Sequence, residues 1–309
     1  MKFSILIPAY KATFLKECIE SILSQTYTDF EVIIVDDASP EDLKSIIDKF
    51  PDDRIHYYRN EQNCGAVNVV DNWNNCLNYS KGEYVICMGD DDKLLPNCLE
   101  EYCKLIELYP HLNVYHGWTE IIDENSTVHK MQEARPLFEG VFSMMWHRFR
   151  GRVQYIGDFL YRASYLKAKK GFYKLPLAWG ADDITAYIAA ESYGIANTQV
   201  PVFQYRENGN SITNSGNIPL KIQTYNEVKE LCRKIVLLAN PISNVERVYQ
   251  QLLNKNLEVF ISHTISYYLY IDLKKSFKVA RVFFWLLHKR RYNITFRNII
   301  IGFVKSMFV

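Results

Sequence analysis

No two of the seven cysteines are spaced as C-x-x-C, and an odd number scattered thinly through 309 residues implies neither a disulfide framework nor a zinc ribbon. Reduced thiols in a cytoplasmic protein are the expectation. A signal sequence is lacking too. The opening apolar stretch Phe3-Ser4-Ile5-Leu6-Ile7 is too short for a signal-peptide core and has no small-residue cleavage site, which again points to the cytoplasm. Nor does either charge dominate: 36 Lys and Arg face 35 Asp and Glu, and a net charge of +1 excludes a globally basic nucleic-acid binder. Internal repeats and low-complexity tracts are absent.

What is present is a globular composition, 48% hydrophobic and 23% charged, at a length that suits roughly two domains. The first hundred residues alternate strand and helix. Strands are expected at Phe3–Ile7, Phe30–Val35, Ile55–Tyr58 and Tyr84–Met88, and helices at Phe14–Gln25, Leu43–Phe50 and Val69–Tyr79. Such alternation implies an α/β fold with a doubly wound, mostly parallel sheet. Ligands bind such sheets at the carboxyl ends of the strands. Those ends carry Pro8-Ala9-Tyr10, Asp36-Asp37 and Asp90-Asp91-Asp92, so three distant motifs are expected to share one crevice.

Residues 111–215 are less regular, with strands expected at Val114–Trp118 and Phe159–Tyr161 and a helix at Ile184–Tyr193 after Asp182-Asp183. The pattern then turns helical, at about 219–239, 244–270, 273–288 and 294–308, and the boundary falls near residue 216.

Each motif has a bland reading beside a chemical one. Three adjacent carboxylates repel one another unless a cation neutralises them, so Asp90-Asp91-Asp92 suits Mg²⁺ or Mn²⁺ completed by diphosphate and water; the plain alternative is a turn capping a helix near Leu94. Asp36-Asp37 suits recognition of ribose hydroxyls or a base N–H, or else an acidic turn before a helix begun by Ser39-Pro40. Asn63-Cys64-Gly65 is either a loop in which glycine permits close backbone approach or simply a turn. Trp179-Gly180-Ala181-Asp182-Asp183 offers a general base beside an aromatic platform, or simply a helix cap.

Taken together these motifs resemble the family 2 glycosyltransferases of GT-A fold. The resemblance rests on Ile5 to Tyr10, on Ser21 to Ser39, and on Gly82-Glu83-Tyr84-Val85 through Asp91-Asp92 and Pro96, with weaker matches at Gly171-Phe172, Trp179 to Asp183 and Tyr205-Arg206. It implies a GT-A catalytic domain over residues 1–215, with a nucleotide half at 1–110 and an acceptor half at 111–215, followed by a helical region at 216–309. It also implies inverting transfer of a sugar from a nucleotide donor, usually a uridine diphosphate sugar, to an acceptor hydroxyl. By the same resemblance Pro8, Ala9, Tyr10, Asp37, Asn63, Gly65 and Asp90 hold the nucleotide sugar. Asp91 ligates the metal, Asp183 is the catalytic base with Asp182 the alternate, and Trp179, Gly180 and Asp182 lie on the acceptor side. Gly89 stands where many members carry an aspartate. The rivals are a sugar nucleotidyltransferase, whose Gly-rich basic loop is missing after the first strand, and a catalytically silent glycan-binding protein.

The charge is unevenly placed. From Leu273 to Val309 there are nine Lys and Arg and no Asp or Glu, leaving 27 basic against 35 acidic residues, or −8, in the remainder. No uninterrupted apolar run in this tail approaches the ~20 residues of a membrane span. Its aromatic, basic pattern fits either an in-plane helix on the inner face of the cytoplasmic membrane or a helical subdomain packed on the core. The resemblance implies a glycan or lipid-linked acceptor, and a lipid-linked one would make the first arrangement useful.

Overall fold

The computed structural model describes residues 2–208, 217–275 and 278–307. Its strands are β1 (Phe3–Ala9), β2 (Phe30–Asp36), β3 (Ile55–Arg59), β4 (Tyr84–Cys87), β5 (Lys93–Leu94), β6 (Val114–Ile122), β7 (Val128–Met131), β8 (Phe138–Glu139), β9 (Phe159–Arg162) and β10 (Ile195–Arg206). Helices α1 (Leu15–Leu23), α2 (Lys44–Ile47), α3 (Val69–Tyr79), α4 (Cys98–Leu108), α5 (Val141–Phe149), α6 (Ala163–Ala168) and α7 (Ala181–Ala190) connect them. The chain then runs through α8 (Ile218–Leu238), α9 (Asn244–Lys275), α10 (Lys278–His288) and α11 (Phe296–Met307).

One sheet runs β3-β2-β1-β4-β9-β6-β10-β5, with β7 and β8 paired at its side. The expected parallel order holds over β3-β2-β1-β4 and returns between β6 and β10; β9, β5, β7 and β8 run antiparallel. Alternation along each central strand divides the core in two. Phe3, Ile5 and Ile7 of β1 face Leu15, Ile19 and Ile22 of α1 and Leu99 and Tyr102 of α4. Leu6 and, from neighbouring strands, Ile33 and Val85 face Val70 and Trp73 of α3. Ile222 of α8 and Leu257 of α9 belong to that same second core, so the C-terminal helices complete one face of the sheet.

Local differences from the sequence reading have physical reasons. The second helix shrinks to one turn, Lys44–Ile47, and opens after Leu43, so Ser39-Pro40 caps nothing. Asp90-Asp91-Asp92 leads into β5, which pairs with β10, and α4 opens later behind Asn97; the triplet is no helix cap. Strand β10 was hidden by its polar Asn197-Thr198-Gln199 and by Pro201, where shifts in register against β6 let a proline sit in the sheet. The boundary near 216 lies outside the described residues, as do residues 276–277 within the expected helix 273–288 and residue 308 of the expected helix 294–308.

Candidate active site

Parallel strands end on one side, and their loops wall a cavity of about 1310 Å³ lined by Pro8, Tyr10, Asp37, Asn63 and Gly65. Ala9 is buried, and its carbonyl accepts the Asp37 N–H at 2.9 Å. The two aspartates after β2 divide their tasks. Asp36 is buried beneath the loop: it accepts from Ser39 N at 2.7 Å and Tyr57 Oη at 2.8 Å, and pairs with Arg59. Asp37 faces the cavity, its Oδ1 taking Asn60 Nδ2 at 2.8 Å and Cys64 N at 2.9 Å, while Asn63 Nδ2 donates to its carbonyl at 2.7 Å. Gly65, at φ +75°, turns that loop around Asp37.

Across the cavity, the turn after β4 brings its three carboxylates to the same wall. Asp90 is buried and accepts both Tyr10 N and Lys11 N at 2.7 Å, which locks the first-strand loop to the acidic turn. Burial, and secondarily the charge of Asp91, pushes its carboxyl up to about 6, although those two N–H groups oppose the shift. Asp92 is raised well above the carboxylate range by burial and by Asp91, while accepting Arg206 N at 3.0 Å and Gly89 N at 3.2 Å. Asp91 is half-buried, with Asn208 Nδ2 on its Oδ2 at 2.6 Å. A Cβ on Gly89 would lie 2.6 Å from Asp91 Oδ1, so the carboxylate folds into space that only glycine leaves open.

Among the described residues no three His, Cys, Asp or Glu side chains are grouped to hold a cation. Of the three carboxylates of the acidic turn, Asp91 is the one partly exposed on the cavity and so the one a cation could reach; Mg²⁺ ordinarily takes only one or two carboxylates beside substrate phosphates.

At the far end α7 opens three residues earlier than its sequence suggests, behind Gly180 in a left-handed conformation at φ +83°. Asp182 and Asp183 therefore occupy its first turn, where the helix dipole favours negative charge. Neither caps the helix through its side chain. Asp183 accepts Arg148 Nε at 2.9 Å and Gln154 Nε2 at 2.6 Å. The Asp182 carboxyl is pushed up to about 7 by burial and by the adjacent Asp183, with Arg148 pulling the other way.

The remaining wall is aromatic. Trp179 donates its indole N–H to Tyr268 Oη at 2.8 Å, and the Lys221 ammonium stands 4.1 Å from the Trp179 ring centroid. Tyr155 and Tyr205 stack at 3.6 Å. Tyr225 from α8 and Tyr268 from α9 line the cavity, so the C-terminal helices contribute to the site itself. Of the site residues that the family resemblance names, all but buried Ala9 line this one cavity, whereas Asp36 and Cys64 of the neighbouring motifs do not; Arg148, Gln154, Asn208, Tyr225 and Tyr268, which the sequence reading missed, line it too. Arg148 and Gln154 sit in the irregular middle region, 35 and 29 residues before their partner, where no spacing signals the contact.

Residues 4–167, just over half of the chain, match the family described as Glycosyl transferase family 2, and the chain belongs to that family. It is 36% identical over 115 residues to the GalNAc(5)-diNAcBac-PP-undecaprenol beta-1,3-glucosyltransferase of Campylobacter jejuni, a match covering 36% of this chain and 37% of that protein. It is 32% identical over 128 residues to the UDP-Glc:alpha-D-GlcNAc-diphosphoundecaprenol beta-1,3-glucosyltransferase WfgD of Escherichia coli, covering 41% of this chain and 49% of that one. Each match thus spans less than half the length of the relative. In three dimensions the chain aligns with residues 1–349 of S. aureus TarS, solved in complex with UDP-GlcNAc, at a TM-score of 0.67 and 17% identity over 99% of this chain and 91% of that one. The shared fold is GT-A.

Proposed function

We propose that this chain is an inverting glycosyltransferase that moves a sugar from a uridine diphosphate donor to a hydroxyl of a lipid-linked glycan in surface polysaccharide assembly. The observation that carries the reading is the convergence of Asp37, the Asp90-Asp91-Asp92 turn and the Asp182-Asp183 pair on one cavity of about 1310 Å³, larger than a single drug-sized ligand ordinarily fills and roomy enough for donor and acceptor together. The acceptor class is supported by the undecaprenol-linked substrates named for the two relatives.

In this reading Asp37, oriented by Asn60 and Cys64, receives the base or ribose, and Tyr10, 43% exposed at the rim, covers the nucleotide. Pro8, Ala9, Asn63 and Gly65 shape that end, and Asp90 fixes the Tyr10 loop. A divalent cation, Mg²⁺ or Mn²⁺, ligated by Asp91, would neutralise the charge that develops on the departing diphosphate. Asp183, aimed by Arg148 and Gln154, takes the proton of the acceptor hydroxyl while that oxygen attacks the anomeric carbon from the face opposite the diphosphate. The new C–O bond forms as the bond to the diphosphate oxygen breaks, and a single displacement inverts the anomeric centre. Trp179, braced by Tyr268, supplies a flat face for the acceptor sugar beside Gly180 and Asp182.

The test is a thermal-shift panel of nucleotide sugars with and without Mn²⁺. Stabilisation by one uridine diphosphate sugar, lost in Asp37→Ala, supports the reading; no stabilisation by any nucleotide sugar refutes it.

A further inference from the structure

Helices α10 and α11 each carry two unlike faces. On α11, Asn298, Ile299, Gly302 and Ser306 are buried. Asn298 Nδ2 donates to the Ser262 carbonyl and to Ser266 Oγ, both at 3.0 Å, and a Cβ on Gly302 would lie 2.8 Å from Leu269 Cβ, so this face is seated tightly on α9. At 3.6 residues per turn the opposite face holds Phe296, Ile300, Val304 and Met307, all exposed. On α10, Trp285 is buried with its indole N–H on Asp272 at 2.8 Å, while Val279, Phe283 and Leu287 form one outward row, the last two 62% and 80% exposed. Single exposed apolar side chains are ordinary, but a row of them along each of two helices packed together marks an interaction surface.

Within the segment that carries these rows the charge has one sign. Lys289, Arg290, Arg291, Arg297 and Lys305 are exposed, and no acidic residue occurs from 273 to 309. The nearest, Asp272, is engaged by Arg281 at 2.8 Å and by Trp285. Among the described residues no helix is long and apolar enough to cross a membrane. We propose that the α10–α11 face lies in the plane of an anionic lipid bilayer, its apolar rows in the acyl boundary and its basic residues at the headgroups.

A bilayer fits this surface better than a second copy of the chain, because a two-fold contact would set the same basic border against itself. The position of the face agrees. Helix α9 turns Tyr268 toward the cavity and sets Ser266 and Leu269 under α11, so two packed helices, together ~20 Å across, separate the exposed apolar row of α11 from the aromatic wall of the cleft. A glycan carried on a membrane lipid would then arrive at the Trp179 side. The inference rests on the glycosyltransferase reading only for that last step; the surface itself is tested by partitioning, which can fail or succeed independently of transfer.

The experiment sediments the full chain with vesicles of phosphatidylcholine alone and of phosphatidylcholine mixed with phosphatidylglycerol, at low and high salt. The expected result is co-sedimentation with the anionic vesicles that weakens with salt. The double variants Phe283→Ser/Leu287→Ser and Ile300→Ser/Val304→Ser should bind roughly tenfold more weakly or worse while keeping the wild-type circular dichroism and melting temperature, since these side chains are exposed. Arg290→Gln should cost about fivefold. Three outcomes overturn the proposal: wild-type protein that ignores anionic vesicles at low salt; folded serine variants that bind as wild type does; or a wild-type dimer, seen by analytical ultracentrifugation, that the serine variants dissociate without any vesicle binding. Stabilisation by the nucleotide sugar, measured in parallel, reports on the glycosyltransferase reading alone.

Discussion

The Arg148 guanidinium donates through Nε to both carboxylate oxygens of Asp183, at 2.9 and 3.2 Å, tying the last turn of α5 to the first turn of α7. Gln154 holds the same carboxylate from a third direction. Asp183 is thereby aimed while its neighbour Asp182, half-buried, is hard to ionise.

Asp183→Asn is expected to lower kcat by about 10² to 10⁴, the usual scale of general-base catalysis, with donor affinity nearly unchanged. Arg148→Met leaves the carboxylate in place but loses its aim, and about 10² in kcat should follow. Steady-state kinetics on the two variants beside Asp182→Asn checks both. A larger loss in Asp182→Asn than in Asp183→Asn would move the base by one residue.

Stability should fall as pH rises through the range where Asp182 resists ionisation. Its folded value near 7 lies above the ~3.9 of an unfolded aspartate, so between these values the folded state binds more protons than the unfolded one, and the slope of unfolding free energy against pH is negative. Asp90, near 6, acts with the same sign. Asp182→Asn should therefore raise the melting temperature by a few degrees at pH 8 and have little such effect near pH 4. Equal shifts at both pH values would contradict the assignment.

Asp91→Asn should abolish Mn²⁺-dependent stabilisation by the nucleotide sugar, because an amide is a poor ligand for a hard cation. Gly89→Ala should weaken the same effect without removing a ligand, since its methyl carbon claims the space holding Asp91 Oδ1. Isothermal titration of nucleotide sugar with and without Mn²⁺ separates the two; undiminished metal-dependent binding in Asp91→Asn would count against the site.

Tyr268→Phe removes the acceptor of the Trp179 indole N–H and should cost ~1 kcal/mol of stability, read from urea unfolding. If the indole is the acceptor platform, KM for acceptor rises while KM for donor does not. A change confined to the donor would place Trp179 elsewhere in the reaction.

Much of this site is written locally in the sequence. Three of the first four strands, β1, β2 and β4, are short apolar runs, and each delivers its motif where hydrophobicity stops: Tyr10 after β1, Asp37 after β2, Asp90 after β4. What is not written locally is what those residues lean on. Asn60, which holds Asp37, and Arg206, which braces the acidic turn from 115 residues away through the Asp91 carbonyl at 2.8 Å, meet their partners only once the sheet is assembled. The aromatic wall was hidden for a different reason. Tyr225 and Tyr268 lie on helices whose spacing describes packing, and nothing in a helical stripe distinguishes a core tyrosine from one that lines a cleft.

The central claim, inverting transfer by Asp183 onto an acceptor hydroxyl, is tested most directly by following the product of a competent α-linked uridine diphosphate sugar by proton NMR with Mn²⁺ present. The account predicts that the β-linked product appears first with the wild-type chain and is lost with Asp183→Asn. An α-linked product, or turnover indistinguishable between the wild type and Asp183→Asn, would contradict it.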